Sequence, residues 1–201
     1  MSDSNLLDIL ARGHLAFTTE IILIPTVAVG YHFISRRIYI NATVILLFMM
    51  VFNTYLKSIW QIPLPTHIGT GWSFPSGHMA SAIVFWGYLA LENKHRIFVG
   101  ITAVGLIGVA LSLIHFGYHT LTDILGAVFF SSITLAMFFH INKKVQDGNL
   151  FKVSGILMLL SGFLIYLLPN PVPFTWFAFI GLIIITLTGL TTRNINNSVY
   201  R

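Results

Sequence analysis

Long apolar runs separated by short polar breaks are the main pattern of the chain. A membrane-spanning helix needs about 20 mostly apolar residues, and seven stretches approach that length. They lie at about 14–34, 38–60, 78–92, 97–117, 121–140, 153–168 and 174–191. The segment QIPLPTHIGTGWSFPSG separates the second stretch from the third, and GYHT separates the fourth from the fifth. The pattern predicts an all-α, polytopic membrane helix bundle with about six to seven transmembrane helices.

No boundary divides this pattern into separate units. The sequence contains no internal repeat, low-complexity tract or long linker, so we predict a single domain over residues 1–201. No basic segment precedes a short apolar run, so no cleavable signal peptide is predicted. The N-terminal segment LLDILARGH has the composition of a short amphipathic helix that lies on a membrane surface.

Composition supports a bilayer environment. Hydrophobic residues make up 56% of the chain and charged residues only 8%, whereas soluble domains carry about 25% charged residues. The absence of cysteine excludes disulfides and thiolate metal sites. The net charge is +5. It does not indicate a nucleic-acid partner, because the basic residues are few and scattered between apolar runs.

The basic residues occupy alternate loops, which predicts the orientation of the bundle. Nine of the eleven Lys and Arg follow the first, third, fifth and seventh stretches, at Arg36, Arg37, Lys94, Arg96, Lys143, Lys144, Lys152, Arg193 and Arg201. Loops rich in Lys and Arg stay in the cytoplasm. We therefore expect an integral protein of a bacterial inner membrane, with the N-terminus and the FPSGH and GYHT segments on the periplasmic side. Only Arg12 and Lys57 join them there.

The outer face then carries residues suited to a phosphoryl group. Ser76, Gly77 and His78 come directly before or at the start of the third stretch. Free backbone N–H groups and the positive end of a helix dipole bind anions there. Gly77 allows close backbone approach, Ser76 adds a hydroxyl, and Lys57 adds a cation.

Two histidines and an aspartate complete this group. His119 and Asp123 are spaced i, i+4, which places them on one helical face. One histidine can attack phosphorus while another protonates the leaving oxygen. An aspartate that accepts the ring N–H keeps the attacking nitrogen unprotonated. The spacing pairs Asp123 with His119, which leaves His78 as the acid.

These residues resemble the three signature motifs of the type-2 phosphatidic acid phosphatases, a superfamily shared with the vanadium haloperoxidases. The matching positions are Lys57 and Pro65, then Pro75, Ser76, Gly77 and His78, then Ser112, His119 and Asp123. The resemblance covers about residues 57–126 and implies a phosphohistidine intermediate with no metal or other cofactor. It assigns the nucleophile to His119, the acid/base to His78, the orienting carboxylate to Asp123, and phosphate binding to Lys57, Ser76 and Gly77.

Two positions depart from those motifs. Leu64 and Leu113 stand where the motifs carry arginine. A hydrogen bond to a charged group contributes about 1.5–3 kcal/mol, so losing two weakens dianion binding by roughly 10²- to 10⁴-fold. Auxiliary residues on the same face are expected to compensate, the candidates being His67, His115, Arg12 and Ser112.

The sequence thus predicts a lipid phosphatase that acts on a membrane lipid phosphate or diphosphate at the extracytoplasmic face. One alternative is a head-group phosphotransferase or phosphodiesterase resembling the sphingolipid synthases, which lack the arginine clamp. Another is a catalytically degenerate lipid-binding protein. His115, His119 and Asp123 also form an i, i+4, i+8 stripe that would suit zinc, but this leaves PSGH and Lys57 unexplained. Glu20, inside the first stretch, is expected to make a structural hydrogen bond. The sequence predicts no oligomeric state.

Overall fold

The computed structural model describes residues 6–145 and 150–199, with the side chains of residues 6–145 and 151–189. The described residues are helical apart from the 61–76 loop and shorter connections, and contain no strand. In chain order the elements are α1 (Leu6–Ala16), α2 (Glu20–Phe33), α3 (Arg36–Trp60), α4 (Gly77–Ala82), a π-helical turn (Ile83–Gly87), α5 (Tyr88–Asn93), α6 (Arg96–His115), α7 (Leu121–Lys144), α8 (Leu150–Leu167) and α9 (Pro173–Val199). The predicted all-α membrane bundle is confirmed.

Among the described helices, three are long and apolar enough to cross a bilayer alone, namely α3, α6 and α7. Helices α1 and α2 qualify together as a fourth span that is bent by 47°. Helix α4, the π-helical turn and α5 follow one another without a break over residues 77–93. The apolar parts of α8 and α9 are shorter, Phe151–Leu167 and Pro173–Gly189.

The first predicted span differs from the structure. The sequence predicted one helix over about 14–34, but the chain is helical from Leu6 and breaks between α1 and α2. The hydroxyls of Thr18 and Thr19 donate to the carbonyls of Leu15 and Ala16, at 2.8 and 2.7 Å. Such local bonds compete with helix continuation. Glu20 is therefore an exposed residue at the start of α2, beside the bend of this span.

Helix α3 is the centre of the bundle, because α2, α8, α9 and the π-helical turn all pack against it. Its fully buried side chains include Val44, Ile45 and Met49. The break between α1 and α2 is fixed to the π-helical turn by Trp86. The ring N–H of Trp86 donates to the Phe17 carbonyl at 2.9 Å. Helix α1 packs along α6.

The two ends of the bundle differ in charge. Basic residues begin α3, connect α5 to α6, and end α7, namely Arg36, Arg37, Lys94, Arg96, Lys143 and Lys144. Of the predicted cytoplasmic set, Arg201 and the side chain of Arg193 lie outside the description. The opposite end carries the end of α3, the starts of α4 and α7, and the 61–76 loop. We call this opposite end the site end.

Candidate active site

The loop over the site end is a closed hairpin. Pro63 and Trp72 form an isolated antiparallel bridge. The Leu64 N–H donates to the Gly71 carbonyl at 2.9 Å, and the Ser73 N–H donates to the Ile62 carbonyl at 2.7 Å. Gly71 has φ +139°, a conformation that side chains other than glycine rarely adopt. The hairpin delivers the chain to the PSGH turn at the head of α4.

Ser76 holds this turn in place. Its hydroxyl oxygen accepts from the Met79 N–H at 3.4 Å and caps α4. Its own N–H donates to the Asp123 carbonyl at 3.1 Å, which ties the turn to α7. The side chain is fully buried. Ser76, predicted as a phosphate ligand, is therefore placed behind the turn and not on the cavity described below.

His119 and Asp123 come together at the start of α7, but not on one helical face as predicted. Thr120 is the N-cap of α7, so His119 precedes the helix. Asp123 completes a capping box, because its Oδ2 accepts from the Thr120 N–H at 2.8 Å. Its Oδ1 accepts from the Ser73 hydroxyl at 3.3 Å. Helix capping and loop anchoring thus fix the carboxylate beside His119.

The distance from His119 Nδ1 to Asp123 Oδ2 is 3.4 Å. The two groups are not aligned as a hydrogen bond, and Nδ1 is buried without a hydrogen-bond partner in the described part of the chain. The pair is close enough for strong electrostatic coupling, and Nδ1 faces the carboxylate, which leaves Nε2 as the other reactive nitrogen.

The surroundings of His119 keep its ring neutral. The residue lies in the connection between two spans and is 8% exposed. Burial, followed by the charge of Lys57, lowers the pKa of His119 from 6.5 to about 4, and Asp123 opposes this shift. At neutral pH the imidazole therefore has an unprotonated nitrogen, which a nucleophile or a base requires.

A cavity of about 460 Å³ opens beside these residues. Its polar and aromatic lining comes from four parts of the chain, with residues Thr18, Asn53, Lys57, Gly77, His78, Ser81, Tyr118 and His119. Its apolar lining is Met50, Leu64, Ile68 and Phe174. The Lys57 ammonium donates to the Trp72 carbonyl at 2.7 Å, which holds it at the hairpin side of the cavity. Of the six main predicted site residues, Lys57, Gly77, His78 and His119 line this cavity, and Asp123 supports His119.

The four auxiliary candidates lie elsewhere. The Arg12 guanidinium is 5.5 Å from the centre of the Phe116 ring, and His115 Nε2 is 2.8 Å from Asp8 Oδ1. His67 is exposed next to Gly117, and the buried Ser112 hydroxyl donates to the Gly108 carbonyl at 2.6 Å. The alternative of a zinc site on His115, His119 and Asp123 has no support in the described residues, which contain no group of three or more His, Cys, Asp or Glu that could hold a metal ion.

The two departing leucines differ in their environments. Leu64 lines the cavity, so an arginine at this position would add a cation to the cavity wall. Leu113 is fully buried in the hydrophobic core. Compared with the motifs, the chain therefore lacks one cation at the cavity wall, at Leu64. The second motif arginine is replaced by Leu113, which belongs to the hydrophobic core.

Sequence reasoning missed Asn53, Thr18, Ser81 and Tyr118 as lining residues. Asn53 could have been predicted, since it is an amide inside an apolar stretch and lies one helical turn before Lys57. Thr18 could not, because the sequence did not predict the break that brings it to the cavity.

The central part of the chain is similar to a known protein family. A family model described as the PAP2 superfamily matches residues 38–147, more than half of the chain. No curated protein and no solved structure matches. The matched region contains α3 from Ile38 onward, together with the hairpin, α4, α6 and the His119–Asp123 pair.

Proposed function

Because the chain belongs to the PAP2 superfamily, whose members are phosphatases or related phosphotransfer enzymes, we propose that it is a membrane-embedded lipid phosphatase. It removes a phosphate group from a lipid phosphate or diphosphate through a phosphohistidine intermediate on His119. The observation that carries this proposal is the single cavity that brings neutral His119, His78 and Lys57 together beside an apolar wall.

The lining supports a lipid phosphate as substrate. Lys57 and the backbone N–H groups at the start of α4 bind the phosphoryl oxygens. Met50 lies two turns along α3 from Lys57, and Leu64, Ile68 and Phe174 add further apolar surface. A water-soluble phosphate would leave this apolar wall unused, whereas a lipid would cover it.

In the first step, His119 Nε2 attacks phosphorus as the bond from phosphorus to the lipid oxygen breaks. His78 donates a proton to that oxygen, so the lipid leaves as an alcohol, or as a lipid monophosphate from a diphosphate. Asp123 stabilises the positive charge that develops on the His119 ring. In the second step, water attacks phosphorus, His78 takes its proton, the N–P bond breaks, and inorganic phosphate leaves.

The test uses purified protein in lipid vesicles with a phosphomonoester, a diphosphate and a phosphodiester lipid, with free phosphate and lipid product both measured. Wild type is expected to release phosphate from the monoester or diphosphate, with and without EDTA. His119→Gln, His78→Gln and Asp123→Asn are expected to reduce turnover by about 10²- to 10⁴-fold. A labelled substrate should leave an acid-labile phosphoprotein in wild type and none in His119→Gln. A folded His119→Gln protein with wild-type turnover would rule out this mechanism.

Leu64 supports a second candidate, a head-group phosphotransferase or phosphodiesterase. With Leu64 on the cavity wall, Lys57 is the sole Lys or Arg among the described lining residues, and one cation suits a monoanionic phosphodiester. An alcohol would then replace water in the second step. In the assay above, this candidate predicts transfer of a head group to an added alcohol with little free phosphate.

A further inference from the structure

Asn53 is a polar residue on the cavity wall that the proposed mechanism does not use. Its side chain lines the cavity and the residue is 6% exposed. Its Nδ2 donates to the Pro75 carbonyl at 3.5 Å. The same nitrogen would lie 3.3 Å from a Cβ added to Gly77. The amide is therefore packed against the backbone of the PSGH turn.

The orientation of this amide follows from its neighbour. The Pro75 carbonyl can only accept a hydrogen bond, so the amide turns its NH₂ group toward Pro75. Its Oδ1 is then directed elsewhere, and it is buried without a hydrogen-bond partner among the described residues. An unmet buried acceptor is unfavourable and is rare in folded proteins.

The position of Asn53 indicates which part of a ligand would meet it. Lys57, Asn53 and Met50 follow one another along one face of α3, at spacings of four and three residues. Successive residues rise by about 1.5 Å, so Asn53 lies roughly 6 Å closer to the bundle centre than Lys57. A lipid with its phosphate at Lys57 and its chain toward Met50 would place the groups next to the phosphate at Asn53.

We propose that Asn53 selects lipid phosphates that carry a hydrogen-bond donor, a hydroxyl or an amide N–H, next to the phosphate. Such a donor satisfies Oδ1, whereas a phosphate oxygen, an ester carbonyl and a hydrocarbon chain do not. The preferred class is then a monoacyl glycerol phosphate or a sphingoid phosphate, over a diacyl glycerol phosphate or a prenyl phosphate. This inference rests on the proposed lipid phosphatase activity.

The experiment compares three substrates of matched chain length, a 1-acyl glycerol phosphate, its diacyl analogue and a prenyl phosphate. Wild type is expected to show the highest kcat/KM for the 1-acyl substrate. Asn53→Leu and Asn53→Ala remove the acceptor and should lower the 1-acyl preference by about three- to tenfold, the effect of one neutral hydrogen bond. Asn53→Asp keeps an acceptor but loses the bond to Pro75 and adds negative charge, so its overall rate should fall for all three lipids while the 1-acyl preference is retained.

Asn142 provides a matched control, because its Oδ1 is also buried without a partner in the described structure and it lies near the other end of α7. Asn142→Leu should leave the substrate ratios unchanged. Hydrolysis of all three lipids with the same ratios in wild type and in the two acceptor-free variants would overturn the inference but not the phosphatase proposal. No hydrolysis of any lipid by wild type would overturn both. If Asn53→Leu does not fold, Asn53→Ala decides.

Discussion

At the scale of single residues, the pKa of His119 is set by surroundings that act in opposite directions. Burial and Lys57 lower it to about 4, while Asp123 raises it. We therefore predict that Asp123→Asn lowers the pKa of His119 further and that Lys57→Met raises it. NMR of ¹⁵N-labelled histidine, with the signal assigned by its loss in His119→Gln, measures both shifts. A wild-type pKa near 6.5 would contradict the buried, neutral ring.

The same pKa has a consequence for stability. Its folded-state value of about 4 lies below the ordinary value of 6.5, so between these pH values the unfolded chain binds more protons than the folded one. Stability therefore falls as the pH decreases from 6.5 to about 4, and His119 has no such effect above pH 6.5. His119→Gln should flatten this part of the stability curve.

Leu64 and Leu113 give a second prediction at this scale. Leu64→Arg adds a cation to the cavity wall and should raise the kcat/KM ratio of monoester to diester lipid by about tenfold or more. None of the auxiliary candidates His67, His115 and Arg12 lines the cavity, so they do not supply the missing cation in its place. Leu113→Arg buries an unpaired charge in the core and should lower the melting temperature or prevent folding. Unchanged ratios in a folded Leu64→Arg protein would contradict the role given to Leu64.

The residue types and spacings predicted which residues lie close together, but not the contacts that each of them makes. Lys57, Gly77, His78 and His119 reach one cavity because each lies at a helix end on the same side of the bundle. The capping roles of Ser76 and Asp123 were not predictable from spacing. Each side chain accepts a hydrogen bond from a backbone N–H at a helix start. Asn53 reaches the cavity through the rotation of α3, which depends on packing with its neighbouring helices.

At the scale of elements, the α1–α6 pair explains the auxiliary residues. Asp8 meets His115 and Arg12 lies over Phe116, so these side chains dock α1 onto the end of α6. The paired groups are largely exposed, and such contacts contribute about 1 kcal/mol or less each. The break after α1, which apolar periodicity did not reveal, places Thr18 on the cavity. Helix α1 therefore influences the site through its packing and not through its charges.

This docking predicts that Arg12→Ala and His115→Ala change KM for a lipid phosphate by less than about twofold, with slightly lower thermal stability. Steady-state kinetics and thermal unfolding of the two variants, beside Asn53→Ala as a variant that does line the cavity, measure both effects. A large rise in KM with unchanged stability would return these residues to the phosphate site.

At the scale of the whole molecule, the two ends of the bundle carry different residues. The site end holds Lys57, His78 and His119, and the other end holds most of the basic residues that have described side chains. Alternation of charge along the sequence was sufficient to predict this separation, because each span reverses the direction of the chain. The bend in the first span and the π-helical turn were not predictable in this way, since they arise from local bonds and from packing.

The separation of charge predicts the side of the membrane on which the site lies. Loops rich in Lys and Arg remain in the cytoplasm, so the hairpin should face outward and the end of α7 inward. The chain has no native cysteine, so single cysteines can be introduced at the exposed Thr70 and Lys143. In intact cells, an impermeant thiol reagent should label Thr70→Cys and not Lys143→Cys. After permeabilisation it should label both, which controls for reactivity. Labelling of Lys143→Cys alone in intact cells would place the cavity in the cytoplasm and restrict the enzyme to lipids of the inner leaflet.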